Sequence, residues 1–312
     1  MQIERGDIRK YIDGVDNILL TSHVHPDGDA IGSCLALYHV LKGMGKEVQV
    51  VIDDHAPEIF DILPGFGEIQ RYEGQQLEAD LVVLLDARPG REGRVCSAVS
   101  APVLNIDHHA SNDMSADYAY VEPEASATAE MLYNIFREWG VALTEETASC
   151  LYLGIATDTG FFAFPNTCPE TLEICANLMR VGVKPAALAA AVSRKTFHEV
   201  EELARGLDTM ELFAGGRVVG IFLDESFQEL ELTDALIDMV RFIEGIELAV
   251  LLKVENEKSC RVRMRSALLD VSKLARKLGG GGHKEAAGGT IEAGFSEARQ
   301  ILQNEISMFL GL

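Results

Sequence analysis

The 312-residue sequence is acidic, with 27 lysines and arginines against 49 aspartates and glutamates and a formal net charge of −22. Its length indicates about two domains. Hydrophobic residues make up 47% and charged residues 24%, which is ordinary for a globular protein and excludes a disordered or fibrous chain. The charge argues against a protein that holds long duplex DNA on a broadly basic surface, although an acidic protein can still bind a short anion at a locally basic site.

Three further features restrict the class of protein. Residues 1–10 lack the apolar core of a signal peptide, and no uninterrupted apolar run approaches the ~20 residues that a membrane span needs. The six cysteines include no CxxC pair, which argues against a zinc site and a disulfide framework. We therefore expect a cytoplasmic protein with reduced thiols and no membrane partner.

The first half of the chain alternates strand-like and helical patterns. Apolar runs typical of buried strands lie at 17–22, 47–53, 80–86 and 102–107. Helical patterns lie at 30–42, about 126–139, 144–157 and 169–181. This alternation predicts an α/β fold with a doubly wound parallel sheet, in a domain over residues 1–188. Ser126 is predicted to cap the helix that follows it.

The pattern changes near Lys184-Pro185. A helical stretch at about 186–213 predicts a helical linker, placed at 189–214, and a smaller mixed α/β domain is predicted over 215–312. Strands are predicted in this domain at 217–222, 248–254 and 261–266. Helices are predicted at 233–244 and 270–278.

The segment after the first strand, residues 21–30 (TSHVHPDGDA), carries His23, Asp27 and Asp29. In open α/β sheets, ligands bind at the carboxyl ends of the strands. Two aspartates two residues apart repel each other, and together with an imidazole they suit a divalent metal such as Mn²⁺. An aspartate that caps the next helix would account for only one of the two carboxylates.

Other apolar segments also end in potential metal ligands, which are Asp86, Asp107, His108, His109 and Asp158. Parallel strands bring their carboxyl ends to one edge of the sheet. We therefore expect one crevice to contain His23, Asp27, Asp29, Asp86, His108 and Asp158. Four carboxylates and two imidazoles are enough for two divalent metals, which can stabilise both the attacking and the leaving oxygen of an in-line phosphoryl displacement.

The second domain contains a basic stretch that opposes the net charge of the chain. Residues 258–284 contain eight lysines and arginines and one acidic residue. Arg261, Arg263 and Arg265 alternate along a predicted strand, so they share one face and suit phosphate oxygens, whereas a solvated polar face is the alternative for Arg261. In Gly279–Gly282, backbone N–H groups can approach a phosphate, and His283 follows as a further donor; a flexible loop is the alternative for the glycines alone.

The order His23-x-x-x-Asp27-x-Asp29, Asp86, Asp107-His108-His109 and Asp158 resembles the DHH phosphoesterase superfamily. The segment GGGGHKEAAGG, at 279–289, resembles the signature of the DHHA1 substrate domain. Length and domain organisation are most similar to the short bacterial nanoRNases, the NrnA-type subgroup. The resemblance implies a cleft between two domains, two divalent metals (Mn²⁺ before Mg²⁺ or Co²⁺) and, in many members, a homodimer.

The resemblance also implies an activity. It implies degradation of very short RNA oligonucleotides to mononucleotides and removal of the 3′-phosphate of 3′-phosphoadenosine 5′-phosphate, by attack of a metal-activated hydroxide. The alternatives are a phosphodiesterase for linear or cyclic dinucleotides such as pApA, a manganese pyrophosphatase, which lacks the glycine run, and a non-catalytic nucleotide-binding protein. Intact aspartates at every motif argue against the last.

On the matching positions, the resemblance implies that His23 and Asp27 hold one metal and that Asp29 and His108 hold the other. Asp86 is expected to bridge the two metals. Asp158 is expected to be a further ligand, and the metal that it binds is left open. Asp107 is expected to orient an imidazole, and His109 to contact the scissile phosphate. The expected substrate-binding residues are His109, Arg265, Ser266, Gly280, Gly281, Gly282 and His283.

Overall fold

The computed structural model describes residues 1–227, 230, 232–282 and 284–312 and divides into two compact units, residues 1–194 and 195–312. Among these residues, no single helix is long and apolar enough to cross a membrane, and one pair of helices bent by 105°, Pro169–Val181 with Pro185–Ser193, meets that criterion only when taken together. All six cysteines are free thiols.

The first unit is built on a parallel sheet. Its strands are β1 (Asn17–Thr21), β2 (Glu47–Ile52), β3 (Ile69–Arg71), β4 (Leu81–Leu85), β5 (Val103–Asp107) and β6 (Tyr118–Val121). Its helices are α1 (Ile8–Asp13), α2 (Gly28–Gly43), α3 (Thr128–Glu138), α4 (Glu145–Asp158), α5 (Pro169–Val181) and α6 (Pro185–Ser193). The strand order is β3-β2-β1-β4-β5-β6, and every pairing is parallel. The predicted α/β class is confirmed, and this order is that of doubly wound sheets, which bind ligands where the order reverses, here between β1 and β4.

Both faces of this sheet are covered, which explains why its strands are continuous apolar runs. Successive residues of a strand point to opposite faces. Ile18 and Leu20 pack against the face that carries the helices, and Leu19 packs against the other face, which is covered by residues of 72–79 and 95–103. The ends of β1 and β4 therefore emerge from a sheet that is packed on both faces.

Two glycines allow α2 and α4 to pack with their backbones close together. A Cβ on Gly32 would lie 2.5 Å from the carbonyl oxygen of Cys150, and a Cβ on Gly154 would lie 2.8 Å from Asp29 Oδ1. The N-terminal turn of α2 therefore lies beside the C-terminal turn of α4, which ends at Asp158. Helix packing thus brings the carboxylates of Asp29 and Asp158 to the same end of the sheet.

The second unit is a mixed sheet with helices on both faces. Its strands are β7 (Met210–Phe213), β8 (Val218–Leu223), β9 (Leu248–Asn256), β10 (Ser259–Arg265), β11 (Gly281–Gly282) and β12 (Ala286–Ile291). Its helices are α7 (Phe197–Leu207), α8 (Thr233–Val240), α9 (Val271–Lys277) and α10 (Phe295–Leu310). The strand order is β11-β12-β10-β9-β8-β7, in which only β8 and β9 pair in parallel. The α9 and α10 helices pack on one face and α7 and α8 on the other, which confirms the predicted mixed α/β class.

The helical stretch predicted over 186–213 is wrong in its last part. The segment forms α6, a break, α7 and then strand β7. A new helix starts after Thr196 because Thr196 and Glu199 form a capping box, in which each side chain accepts from the backbone N–H of the other. Residues 210–213 form a strand because they pair with β8, a tertiary interaction that local periodicity does not reveal.

Candidate metal centre

The segment after β1 directs one imidazole nitrogen and one carboxylate oxygen to the same point. His23 Nδ1 lies 2.8 Å from Val24 O; because a carbonyl only accepts, Nδ1 carries a proton and Nε2 faces the carboxylates. Asp27 caps α2 with Oδ1, which accepts from the backbone N–H groups of Asp29 and Ala30 at 3.0 and 3.1 Å. Its Oδ2 lies 3.8 Å from His23 Nε2. Asp27 is therefore a helix cap and a candidate ligand at once.

Asp29 is buried, and its carboxylate caps a different helix. Oδ2 accepts from Thr128 N at 2.6 Å, and Oδ1 accepts from Ala129 N at 2.9 Å and from Ser33 Oγ at 3.1 Å. These backbone donors belong to the first turn of α3, whose N-cap residue, Ala127, has no capping side chain. Asp29 therefore joins the N-terminus of α3 to the cluster.

The prediction that Ser126 caps α3 is wrong. Ser126 Oγ donates to Glu130 Oε2 at 2.6 Å, and the same oxygen accepts from Thr171 Oγ1 at 2.8 Å. Asp29 takes the cap position because the fold brings α2 against α3, and no local sequence pattern indicates that contact.

Asp86 lies at the centre of the cluster. It directly follows β4, is only 2% exposed and has a φ of +54°. Oδ2 lies 3.6 Å from His23 Nε2, whereas Oδ1 lies 3.6 Å from His108 Nε2 and 3.8 Å from His109 Nδ1. Thr128 Oγ1 donates to Oδ1 at 3.1 Å. The two carboxylate oxygens of Asp86 thus face different imidazoles, which is the arrangement that a bridging ligand requires.

His108 and Asp158 extend the cluster toward α4. His108 Nδ1 donates to Ala125 O at 3.1 Å, and this contact directs Nε2 toward the carboxylates. Nε2 lies 3.5 Å from Asp158 Oδ2. Asp158 is the last residue of α4, so the C-terminal end of a helix supplies this carboxylate, whereas Asp27 and Asp29 lie at the start of α2 and Asp86 follows a strand.

Three groups of side chains in the described part of the chain have ligand atoms within 4.8 Å of one another. They are His23, Asp27 and Asp86; Asp29, His108 and Asp158; and Asp86, His108 and His109. The first two groups together contain all six residues that the sequence predicts as metal ligands. Asp158, whose allocation the sequence left open, lies with Asp29 and His108.

Burial, with negative charge from neighbouring carboxylates, raises the pKa of several carboxyl groups in this cluster. Burial raises the pKa of Asp158 to about 8, and the charges of Asp29 and Asp27 add to the effect. Burial also raises the pKa of Asp29, and burial together with the charge of Asp29 raises that of Asp86 well above its ordinary value. Crowded, buried carboxylates destabilise a fold unless a cation compensates them. Carboxylate oxygens with imidazole nitrogens are a donor set that fits Mn²⁺ and related divalent ions.

The imidazole of His23 reports the same negative potential. Burial alone would lower the pKa of His23, but hydrogen bonds and charges from Asp27 and Asp86 outweigh burial and raise it to about 10. Burial would raise the pKa of Asp27, but His23 outweighs it and lowers that pKa. A proton and a metal ion compete for the same imidazole lone pair, so a strongly retained proton marks a position that also attracts a cation.

Asp107 holds the ring of His109. Its carboxylate is fully buried, and Oδ1 accepts from His109 Nδ1 at 2.7 Å and from His109 N at 3.2 Å. Burial would raise the pKa of Asp107, but the hydrogen bond and charge of His109 outweigh burial and lower it. The ring is therefore oriented with Nδ1 toward Asp107 and Nε2 on the opposite side.

Comparisons with known proteins give the family. The model of the DHH family, N-terminal domain, matches residues 17–155, and that of the DHHA1 domain matches residues 218–311. The bifunctional oligoribonuclease and PAP phosphatase NrnA of Thermus thermophilus is 36% identical over 289 residues, which cover 92% of this chain and 87% of that protein. The chain belongs to the DHH/DHHA1 phosphoesterase family. It is a hydrolase of phosphoester bonds.

Two further comparisons agree with this assignment. The bifunctional oligoribonuclease and PAP phosphatase NrnA of Bacillus subtilis is 29% identical over 295 residues, which cover 92% of this chain and 93% of that one. The crystal structure of an exopolyphosphatase-related protein from Bacteroides fragilis superposes with a TM-score of 0.91 at 25% identity, covering 98% of this chain and 96% of that one. The predicted family and its two domain types are confirmed.

In the DHHA1 domain, the three arginines of β10 have acidic partners. The pairs are Arg261 with Glu255, Arg263 with Asp234, and Arg265 with Asp234 and Asp238. Arg265 Nη2 lies 2.8 Å from Asp234 Oδ1, and its side chain is 16% exposed. The basic face is therefore less positive than the sequence alone suggests, because α8 brings two carboxylates against it.

Ser266 and its neighbours form a hydrogen-bonded turn. Ser266 Oγ donates to Glu247 O at 2.6 Å and accepts from Leu268 N and Leu269 N at 3.1 and 2.8 Å. The hydroxyl thus stabilises the exit from β10, and its contact with substrate stays a prediction.

The glycine run has a packing role as well as a predicted binding role. A Cβ on Gly280 or Gly282 would lie 2.0 or 2.6 Å from a carbonyl oxygen of the neighbouring segment that contains β12, whereas Gly281 has open space beside it. Glycine is therefore required at positions 280 and 282, where the two segments approach each other closely. His283, which the sequence predicts as a donor to substrate, lies outside the described residues.

Three polar side chains that support the DHH cluster were not predicted, and they are Asn105, Asn112 and Thr128. Thr128 donates to Asp86, as described above, Asn112 donates to Asp107, and Asn105 accepts from Asn112. The role of Asn105 could have been predicted, because it is a lone amide inside the apolar run PVLNID. A buried amide in a strand requires hydrogen-bond partners. Asn112 and Thr128 lie in loop and helix-start positions where polar residues are ordinary.

Proposed function

We propose that this protein is a phosphoesterase that uses two divalent ions, Mn²⁺ foremost. Its proposed reactions are degradation of short RNA oligonucleotides to mononucleotides and removal of the 3′-phosphate of 3′-phosphoadenosine 5′-phosphate. The observation that carries the proposal is the convergence of the six predicted ligands, with Asp86 at their centre, at the switch point of the sheet. The relatives named as oligoribonuclease and PAP phosphatase support the choice of substrates.

Each ligand has a role that its contacts support. His23 and Asp27 would hold one ion and Asp29, His108 and Asp158 the other, with Asp86 shared between the two. Ions bound there would polarise the phosphoryl group and lower the pKa of the attacking water. The imidazoles enter the reaction already oriented, because the backbone carbonyls of Val24 and Ala125 fix His23 and His108 through Nδ1.

His109 is proposed to act on the phosphoryl group itself. Asp107 accepts from Nδ1 and orients the ring, so that Nε2 is turned away from Asp107. An N–H at Nε2 would donate a hydrogen bond to a phosphoryl oxygen, where negative charge develops in the transition state. Asp107 thus acts through His109, whereas Asp86 and His109 are the groups proposed to work at the reacting centre.

The proposed domains are a catalytic DHH domain over 1–188, a linker over 189–214 and a substrate-binding DHHA1 domain over 215–312. In the DHHA1 domain, the register pairs Arg265 with Ala286 and Gly282 with the next residue, Ala287, so the arginine and the glycine run share one end of the sheet. This end is proposed to bind substrate phosphates, with His283 and Ser266 included. We also propose that the protein is cytoplasmic and forms a homodimer. Neither a membrane nor long duplex DNA is a proposed partner.

A substrate panel tests the proposal directly. Purified protein with Mn²⁺ is incubated with 5′-labelled RNA dimers to pentamers, 3′-phosphoadenosine 5′-phosphate, pApA and inorganic pyrophosphate. We expect mononucleotides from the oligonucleotides and inorganic phosphate from the bisphosphate, both abolished by a chelator. Turnover of pApA alone would instead indicate a dinucleotide phosphodiesterase, turnover of pyrophosphate alone a pyrophosphatase, and binding without turnover a nucleotide sensor.

Arg265→Ala tests the proposed phosphate contact. We expect KM for 3′-phosphoadenosine 5′-phosphate to rise about tenfold or more with kcat changed far less, because a charge-assisted hydrogen bond contributes about 1.5–3 kcal/mol. Initial-rate kinetics measure the effect. Arg261→Ala, which removes a paired arginine from the same strand, is the matched control and is expected to keep the KM of the parent. Equal KM values for the two variants would assign Arg265 to structure alone.

A further inference from the structure

A buried amide braces the backbone on both sides of Asp86. Asn105 is fully buried within β5, and its Nδ2 donates to Leu84 O at 3.1 Å and to Ala87 O at 2.8 Å. These two carbonyls flank Asp86, whose φ of +54° is a conformation that few residues other than glycine adopt. Asn105 therefore holds the turn that aims the central carboxylate.

A second amide, that of Asn112, connects Asn105 to the carboxylate of Asp107. Asn112 Nδ2 donates to Asn105 Oδ1 at 2.7 Å and to Asp107 Oδ2 at 2.6 Å. Asn112 Oδ1 accepts from Met114 N at 2.8 Å, so the other end of the amide fixes its own loop. The two functions of Asn112 are thus separated between its nitrogen and its oxygen.

The hydrogen bonds form one continuous path behind the cluster. It runs from the turn at Asp86 through Asn105, Asn112 and Asp107 to His109. With both carboxylate oxygens of Asp107 engaged, one by Asn112 and the other by His109, the buried carboxylate is held in one orientation. Loss of the Asn112 donor would leave a buried oxygen unsatisfied, and the carboxylate would turn away from His109 to regain a partner.

We propose that Asn112 is a positioning residue for the phosphoester reaction, which fixes His109 through Asp107 and ties that ring to the turn carrying Asp86. The inference deepens the proposed function and rests on it only for the kinetic readout. This role belongs to the Nδ2 donor of Asn112 alone, because the contact with the loop is made by Oδ1. The donor keeps the His109 imidazole aligned with a substrate phosphoryl group.

The test compares Asn112→Asp with Asn112→Ala. Aspartate has the shape of asparagine and keeps the acceptor for Met114 N, but it loses the Nδ2 donor and faces Asp107 with like charge. We expect both variants to lower kcat on 3′-phosphoadenosine 5′-phosphate about 10- to 100-fold, the range typical of residues that orient a reacting group, with KM within about threefold of the parent. Asn177→Asp, which alters another partly buried asparagine whose Nδ2 donates to Tyr133 Oη, is the matched control and is expected to leave kcat unchanged.

A second readout does not need turnover. The imidazole ¹⁵N–¹H spectrum of Mg²⁺-loaded protein labelled at histidine, with His109→Gln used for assignment, reports the Nδ1–H of His109. We expect that signal to shift or broaden in both Asn112 variants and to stay in place in Asn177→Asp. An unchanged His109 signal, or an Asn112→Asp enzyme with kcat within about twofold of the parent, would overturn the proposal. Absence of turnover by the parent would instead count against the proposed function, and the spectrum would still decide the role of Asn112.

Discussion

Asp86→Asn is expected to lower kcat about 10³-fold or more while the protein stays folded. The carboxylate faces His23, His108 and His109 and belongs to two of the three metal-capable groups. A residue that only orients a ligand typically contributes 10- to 100-fold, so the central ligand is expected to exceed that range. Single-turnover and steady-state kinetics with saturating Mn²⁺ on 3′-phosphoadenosine 5′-phosphate measure the effect, and the number of bound ions, from titration calorimetry, is expected to fall.

Asparagine is the informative replacement because of the backbone at this position. With φ at +54°, Asp86 adopts the left-handed conformation, which asparagine tolerates better than alanine. Asparagine also keeps an oxygen that can accept from Thr128 Oγ1. A loss of turnover in Asp86→Asn therefore reports the missing charge, whereas the same loss in Asp86→Ala would combine charge, strain and packing.

Asp80→Asn provides the matched control. Asp80 lies just before β4, at the opposite end of the strand that Asp86 follows, and it accepts a hydrogen bond from Asn17 N at 3.0 Å. The same chemical change there is expected to leave kcat within about twofold of the parent. Turnover of Asp86→Asn near that of Asp80→Asn would remove Asp86 from the reacting centre.

The elements that carry the site could be predicted because their signals are local. Strands β1, β4 and β5 are apolar runs that each end next to a ligand, and parallel pairing brings those ends to one edge. Two short strands, β3 and β6, were not predicted, since three or four residues give too little periodicity. The sequence did not show that Asp27 also caps α2, a function that it combines with its place in the cluster because its two oxygens have separate partners.

What could not be predicted depends on contacts distant in sequence. Asp29 caps α3 across about a hundred residues, and the sequence alone favours Ser126 for that position. Arg265 is opposed by Asp234 and Asp238 because α8 packs on β10, and a count of charges along one strand cannot show this pairing. Asn112 could not be recognised because an asparagine in a loop is ordinary until its partners are known.

Removal of divalent metal is expected to make the folded protein less stable as pH rises from 5.5 to 7.5. The pKa of Asp158 is raised from an ordinary value of 3.8 to about 8, so over this range the folded protein retains a proton that the unfolded chain has released. His23, raised from 6.5 to about 10, acts in the same direction above pH 6.5. Each such proton lowers the free energy of unfolding by about 1.4 kcal/mol per pH unit. Asp27 and Asp107, whose pKa values are lowered, lose their contribution only below about pH 4.

Urea unfolding at constant ionic strength, in chelator and in excess Mn²⁺, measures this dependence. Metal binds deprotonated ligands, so the stabilisation by Mn²⁺ is expected to grow with pH while the chelated protein weakens. Asp158→Asn should flatten the slope in chelator because it removes one titrating carboxyl, whereas Asp16→Asn, at a side chain that is 98% exposed, should leave it unchanged. A chelated protein whose stability stays constant or rises over this range would show that the cluster does not carry the uncompensated charge that a pair of divalent ions requires.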